Sequence, residues 1–205
     1  LTKELGCSAG IMISASHNPV QDNGIKVFGC DGFKLSEELE EKIEGFIDGD
    51  DVLRPIGGSV GKVTCRYEAA ELYVQYLKKQ VNVDLRGLHL AIDCANGATS
   101  SFAPRIFREL GAEVSSFYDQ PNGVNINHGC GSTFPEKIQS LTKETGADLG
   151  FAFDGDGDRI LAIDERGGIL NGDQILAVIG LNLLRQNRLP GQKVIATAYS
   201  NGGLR

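Results

Sequence analysis

Asp148-Leu-Gly-Phe-Ala-Phe153-Asp154-Gly155-Asp156-Gly157-Asp158-Arg159-Ile160-Leu-Ala-Ile-Asp164 is the stretch from which the rest of the chain can be read. Two apolar runs, 148–153 and 160–164, have the length and bounding residues of strands. Between them three carboxylates alternate with two glycines. Carboxylates so close together repel one another, and each glycine costs chain entropy, so folding alone does not account for the pattern. Glycines let the backbone turn tightly enough for the acids to converge on one cation. Hard oxygen donors select Mg²⁺ or Ca²⁺ over softer metals. Strands on both sides set the loop at the end of a sheet, where ligands bind in α/β proteins. An EF-hand also spaces acids this way, but it needs Gly at its sixth position, where Arg159 stands here, and it is flanked by helices.

Outward from this loop, short apolar segments alternate with longer amphipathic ones. Strands are expected at Gly10–Ser14, Ile25–Phe28, Leu88–Asp93, Glu113–Tyr118 and Lys193–Ala198. Helices are expected at Ser36–Ile47, Glu68–Gln80, Phe102–Leu110, Glu136–Thr145 and Gly172–Gln186. Asn23-Gly24 reads as a tight turn before a strand that returns along the first. Regular alternation of the two element types predicts an α/β protein of three-layer αβα domains, with mixed or mostly parallel sheets covered on both faces. Residues 66–168 form one complete unit, 48–62 a connection rich in Gly, Asp and Pro, and the flanking segments parts of two further units.

Composition narrows the function classes. Formal net charge is −7 and no basic cluster stands out, which argues against nucleic acid or an anionic membrane as partners. No apolar run approaches the roughly 20 residues of a membrane span. The first residues lack the apolar stretch of a signal peptide, there is no initiator Met, and a strand begins almost at once, so the N-terminus reads as cut from something longer. Five scattered cysteines without Cys-x-x-Cys spacing suggest reduced thiols in a cytoplasmic protein rather than a zinc site.

Ser14-Ala-Ser16-His17-Asn18-Pro19 follows the first strand directly. A serine at a strand end, beside an imidazole and an amide, suits a nucleophile, a phosphate carrier or a capping residue. The segment is not the Gly-x-Ser-x-Gly elbow of hydrolases, and His17 is too near in sequence to imply a triad. Lys26 and Arg159 are the cations closest in sequence to these two loops. His89, in a strand, and His128, in a loop, take structural roles by default.

In that order, Ala-Ser16-His-Asn-Pro, Asn-Gly-Ile-Lys26 and Asp154-Gly-Asp-Gly-Asp-Arg159 resemble the α-D-phosphohexomutase superfamily along essentially the whole chain. Pro121-Asn-Gly-Val-Asn125-Ile-Asn127, Cys130-Gly-Ser-Thr133 and Asp93-Cys-Ala-Asn96-Gly97 look most like its bacterial amino-sugar branch, the phosphoglucosamine mutases. The resemblance implies repeated phosphohexomutase-type domains: 1–65 as the later part of the first, 66–168 as the second, and 169–205 as the start of a third, sugar-binding one. It implies a Mg²⁺-dependent isomerase that interconverts glucosamine 6-phosphate and glucosamine 1-phosphate. A phosphorylated Ser16 gives its phosphate to the sugar, and a bisphosphorylated intermediate returns its other phosphate.

Under this resemblance Ser16, Asp154, Asp156 and Asp158 hold the metal, and Arg159 meets phosphate. Lys26 or His17 moves the hydroxyl proton; loop support is an equal reading of His17. Asn18, Ser200 and Asn201 touch substrate, a phosphorylated hexosamine, and the working protein is a homodimer. The family's Gly-Glu-x-Ser-Gly sugar loop and its C-terminal phosphate-binding domain are not in these 205 residues, so little activity is expected of them alone. Other functions stay open. Glucose and mannose phosphates use the same chemistry, and Asp154-x-Asp156 after an apolar strand also resembles the haloacid dehalogenase-type phosphatases. A non-catalytic binding module that kept the metal loop is a third reading.

Overall fold

The computed structural model describes residues 1–49 and 54–204. It divides into two compact units, one of Leu1–Ala15 with Asp22–Val83, the other of Ser16–Gln21 with Asp84–Arg205. Part of the expected connection, residues 50–53, lies outside the described residues.

In the first unit β1 (Ala9–Ser14) and β2 (Gly24–Gly29) pair antiparallel, Ala9 opposite Gly29 and Ser14 opposite Gly24. Gly24 is thus already in the ladder, and the connection is the nine residues 15–23 instead of a tight turn at Asn23-Gly24. α1 (Glu37–Asp48) starts after Ser36 with three glutamates in its first turn, which suits the helix dipole. α2 (Glu68–Gln80) has the expected bounds, with acids in its first turn and Lys78 and Lys79 in its last.

The second unit is a mixed sheet with helices on both faces. Its strands are β3 (His89–Asp93), β4 (Glu113–Phe117), β5 (Leu149–Phe153), β6 (Ile160–Asp164) and β7 (Ile169–Leu170). They lie in the order β4-β3-β5-β6-β7. β4, β3 and β5 run parallel, as their helical crossovers require, whereas β6 and β7 turn back antiparallel. The pleat of β3 sends its side chains alternately to two cores. Leu90 and Ile92 pack with Ala103 and Phe107 of α3 (Ala103–Glu109), and Ala91 packs with Ile138 of α4 (Pro135–Thr145) and Ile163. Phe107 stacks on Phe151 with ring centroids 5.9 Å apart. Gly150 lets α4 approach β5 closely, since a Cβ there would collide with Thr142 Oγ1.

α4 begins at Pro135, whose missing N–H needs no partner in a first turn, and ends at Gly146, left-handed at φ 67°. α5 (Gly172–Arg185) is opened by a capping box in which Asn171 and Gln174 each accept from the other's backbone N–H. The strand expected at Lys193–Ala198 does not form: 193–197 are irregular, and a strand needs a neighbour that this sheet does not give them.

Candidate functional site

The acidic loop spans the connection between antiparallel β5 and β6, with no helix on either side, which removes the EF-hand alternative. Asp154 is the acid that shapes it. Its side chain is 1% exposed, and its Oδ1 accepts from Gly157 N and Arg159 N, each at 3.1 Å. Those two donors close the turn around one carboxylate oxygen and turn Oδ2 elsewhere. Gly157 takes φ 74°, a conformation that any side chain would strain. Asp156 is half-buried and Asp158 exposed, and one carboxylate oxygen from each of the three acids lies within 4.8 Å of the others. Three hard donors at that spacing fit a divalent cation, and a loop of one buried, one half-buried and one exposed acid leaves it an open side. The Arg159 guanidinium is 4.0 Å from Asp158 in an exposed pair. Such a pair is worth little to stability, so it does not bind the arginine to that role.

Ser16 faces this loop. It belongs to the same unit, although 138 positions separate it from Asp154 in sequence. Its Oγ donates to Asp154 Oδ2 at 3.3 Å, and its backbone is left-handed at φ 50°. The Asn127 side-chain N–H₂ donates to Ser16 O at 2.8 Å and to Asn18 O at 2.9 Å. A Cβ on Gly155 would lie 2.5 Å from Ser16 O, so glycine there is what lets the serine and acidic loops meet. His17 is half-buried, and its Nδ1 is sealed from water without a hydrogen-bond partner among the described residues. Asn18 is exposed at the loop's outer side.

The end of β3 supports both loops. Asp93 is fully buried and accepts from Ala95 N and from Gly131 N, each at 2.8 Å. Burial raises its carboxyl above the usual range, and those two N–H groups oppose the rise. Ala98 N donates to Gly155 O at 2.9 Å, and Gly97 lies so close to Gly155 that a Cβ would collide with its carbonyl. Asn96 accepts from Gln120 N and donates toward Asn125 O, which joins the asparagine-rich loop to the same turn.

The structure therefore brings together Ser16, Asp154, Asp156 and Asp158, with His17, Asn18 and Arg159 in the same two loops. Lys26 is exposed on β2 in the other unit, opposite Met12. Ser200 and Asn201 are tied elsewhere, Ser200 N to Thr197 O and Asn201 N to Asp173 Oδ2. Asn127 and Asp93 stand in motifs that the sequence comparison singles out, but their part in holding Ser16 is visible only in three dimensions. For Asn127 a further signal is the asparagine cluster Asn122, Asn125 and Asn127 itself.

Two family models match the chain in succession. Phosphoglucomutase/phosphomannomutase, alpha/beta/alpha domain I, matches residues 1–53, and domain II of the same family matches 71–168. Curated relatives include the phosphoglucosamine mutases of Anoxybacillus flavithermus, 54% identical, and Geobacillus thermodenitrificans, 55% identical, each over 99% of this chain. The chain spans 46% of the length of each. Among solved structures, a phosphoglucomutase/phosphomannomutase family protein of Burkholderia thailandensis aligns with a TM-score of 0.69 at 28% identity, over 88% of this chain and 39% of its own. Parafusin, a phosphoglucomutase of Paramecium, shares the fold with a TM-score of 0.62 at 20% identity, over 89% of this chain and 40% of its own.

Proposed function

The chain belongs to the phosphoglucomutase/phosphomannomutase family, and from that premise we propose that it serves as the phosphoserine- and metal-bearing part of a phosphoglucosamine mutase. The observation that carries this reading is the Ser16 hydroxyl directed at Asp154 across the mouth of the acidic loop. A serine poised over three carboxylates has no use for them as a hydrolytic nucleophile. As a carrier of a phosphate with a charge of about −1.5 to −2 it needs a cation between them. Asp154, Asp156 and Asp158, with an oxygen of the Ser16 phosphate, would hold Mg²⁺, which neutralises that charge and polarises the phosphoryl group.

The reaction then runs on the chain's own residues. The free hydroxyl of a hexosamine phosphate attacks the phosphorus on Ser16, the P–Oγ bond breaks, and Lys26 or His17 takes the hydroxyl proton. The bisphosphorylated sugar turns over, Ser16 Oγ attacks its other phosphate, and the proton returns to the oxygen released. Arg159 meets the transferring phosphate with paired N–H donors, and Asn18, Ser200 and Asn201 contact the sugar. The relatives' names favour glucosamine phosphates as substrates. On the same reading the domains divide at 65 and 168, and the enzyme is a cytoplasmic homodimer. No helix among the described residues is long and apolar enough to cross a membrane.

The test starts with the mass of the full-length enzyme purified without phosphatase. The expected result is one added phosphate mapped to Ser16, with turnover of glucosamine phosphate exceeding that of glucose or mannose phosphate. Ser16→Ala is expected to abolish turnover, because no other residue can carry the group. Phosphoaspartate at Asp154 after mixing with substrate would instead make the protein a dehalogenase-type phosphatase.

A further inference from the structure

We infer that Asn127 is a positioning residue for phosphoryl transfer, fixing the backbone of the serine loop so that the Ser16 oxygen faces the acids; this rests on the reading of Ser16 as the phosphate carrier. A carboxamide nitrogen has two hydrogens, and Asn127 directs that nitrogen at two carbonyls of one loop, Ser16 O at 2.8 Å and Asn18 O at 2.9 Å. Asn127 is itself held. It is 7% exposed, its backbone N–H donates to Ala95 O at 2.9 Å, and Ala95 N donates to buried Asp93 at 2.8 Å. A continuous line of hydrogen bonds thus runs from the end of β3 to the serine.

Ser16, Ala95 and Asn127 all take left-handed backbone conformations, at φ 50°, 53° and 57°. Residues other than glycine stay in that region only where their surroundings over-determine them. For Ser16 the surroundings are the Asn127 amide and Gly155 packed together against its carbonyl, since a Cβ at Gly155 would lie 2.5 Å from Ser16 O and 2.8 Å from Asn127 Nδ2. Relaxation of the serine toward a common conformation would swing Oγ off Asp154. Asn127→Asp keeps the shape of the side chain, but it removes both hydrogens and sets a carboxylate against two carbonyl oxygens.

The deciding measurement is single-turnover transfer from phosphorylated Ser16 to glucosamine phosphate in the full-length enzyme. The rate is normalised to phosphoserine counted by intact mass. A residue needed only for folding would change the number of competent molecules and leave the rate of each unchanged. Asn127→Asp is expected to slow transfer per phosphoserine about 100-fold, the scale of a misplacement near 1 Å, with KM for the sugar phosphate close to that of the unmodified enzyme. Transfer per phosphoserine within about twofold of the unmodified enzyme would overturn the inference, because proximity effects of that size cannot be hidden. If Asn127→Asp does not fold, Gly155→Ala decides, since its Cβ would collide with both the Ser16 carbonyl and the Asn127 amide nitrogen and so break up their contact; a normal rate in that variant equally overturns the inference. An unmodified enzyme that never carries phosphate on Ser16 sinks the premise, whereas a working phosphoenzyme indifferent to Asn127 sinks this step alone.

Discussion

Cys94 and Cys130 are fully buried, whereas Cys7, Cys30 and Cys65 are exposed. Loss of hydration pushes both buried thiols up to about 12, and the nearby Asp93 charge adds to the rise. Both are therefore protonated and shielded near neutral pH. Treatment of the native chain with iodoacetamide should add three groups, and five once denaturant is present; four or five additions to the native chain would show that the β3 end opens. The same shift sets a pH dependence. An unfolded thiol ionises at about 8.5, so above that pH the folded chain holds more protons than the unfolded one. Stability from this source is complete below that value and falls as pH rises toward 12, which urea midpoints measured at neutral and alkaline pH will register. The convergence of Asp154, Asp156 and Asp158 was legible because folding alone gave their clustering no explanation. The support given by Asp93 and Asn127 was not, since it depends on backbone groups 38 and 111 positions away.

Among the elements, those with strong local signals lie where the sequence pattern puts them. α2 matches its expected bounds, and α4 closes at the glycine that supplies a left-handed residue. The failures have physical causes. Lys193–Ala198 has the apolar content of a strand, but strands exist only with a partner, and pairing is not written in a single segment. Asn23-Gly24 fits a two-residue hairpin, but Ser14 already pairs with Gly24, so the strands are joined by the nine residues 15–23, a loop length that no local turn signal encodes. Packing between α4 and the sheet gives a direct stability test. Ile138 is fully buried against Ala91, Ala152 and Ile163, small neighbours or a branched one, none able to move into a vacated space. Ile138→Ala should cost about 2–5 kcal/mol in chemical denaturation. A loss below about 1 kcal/mol would mean that this face of the sheet collapses around the change.

At the scale of the molecule, the two units differ in how much apolar surface they bury. Nearly all of the buried hydrophobic residues, among them Leu90, Ile92, Ile138 and Ile163, belong to the second unit. In the first, Ala15 and Val74 are the buried hydrophobics among the described residues, while Ile11, Ile13 and Ile25 on the hairpin are 70%, 73% and 71% exposed. Burial of apolar area is the main favourable term in folding, and local opening follows where it is scarce. The 205-residue chain should therefore open unevenly. In hydrogen–deuterium exchange followed by mass spectrometry, amides of β3 and β5 should exchange last. Those of β1 and β2 should exchange orders of magnitude sooner, since an isolated two-stranded hairpin is marginal in water. Equal protection of both units would mean that the hairpin draws its stability from something other than its own packing. At the site, Ser16–Gln21 belong to the second unit and Asn127 holds two of their carbonyls, so their amides should exchange with β3 and β5; exchange at the rate of the hairpin would mean that Asn127 does not hold the loop.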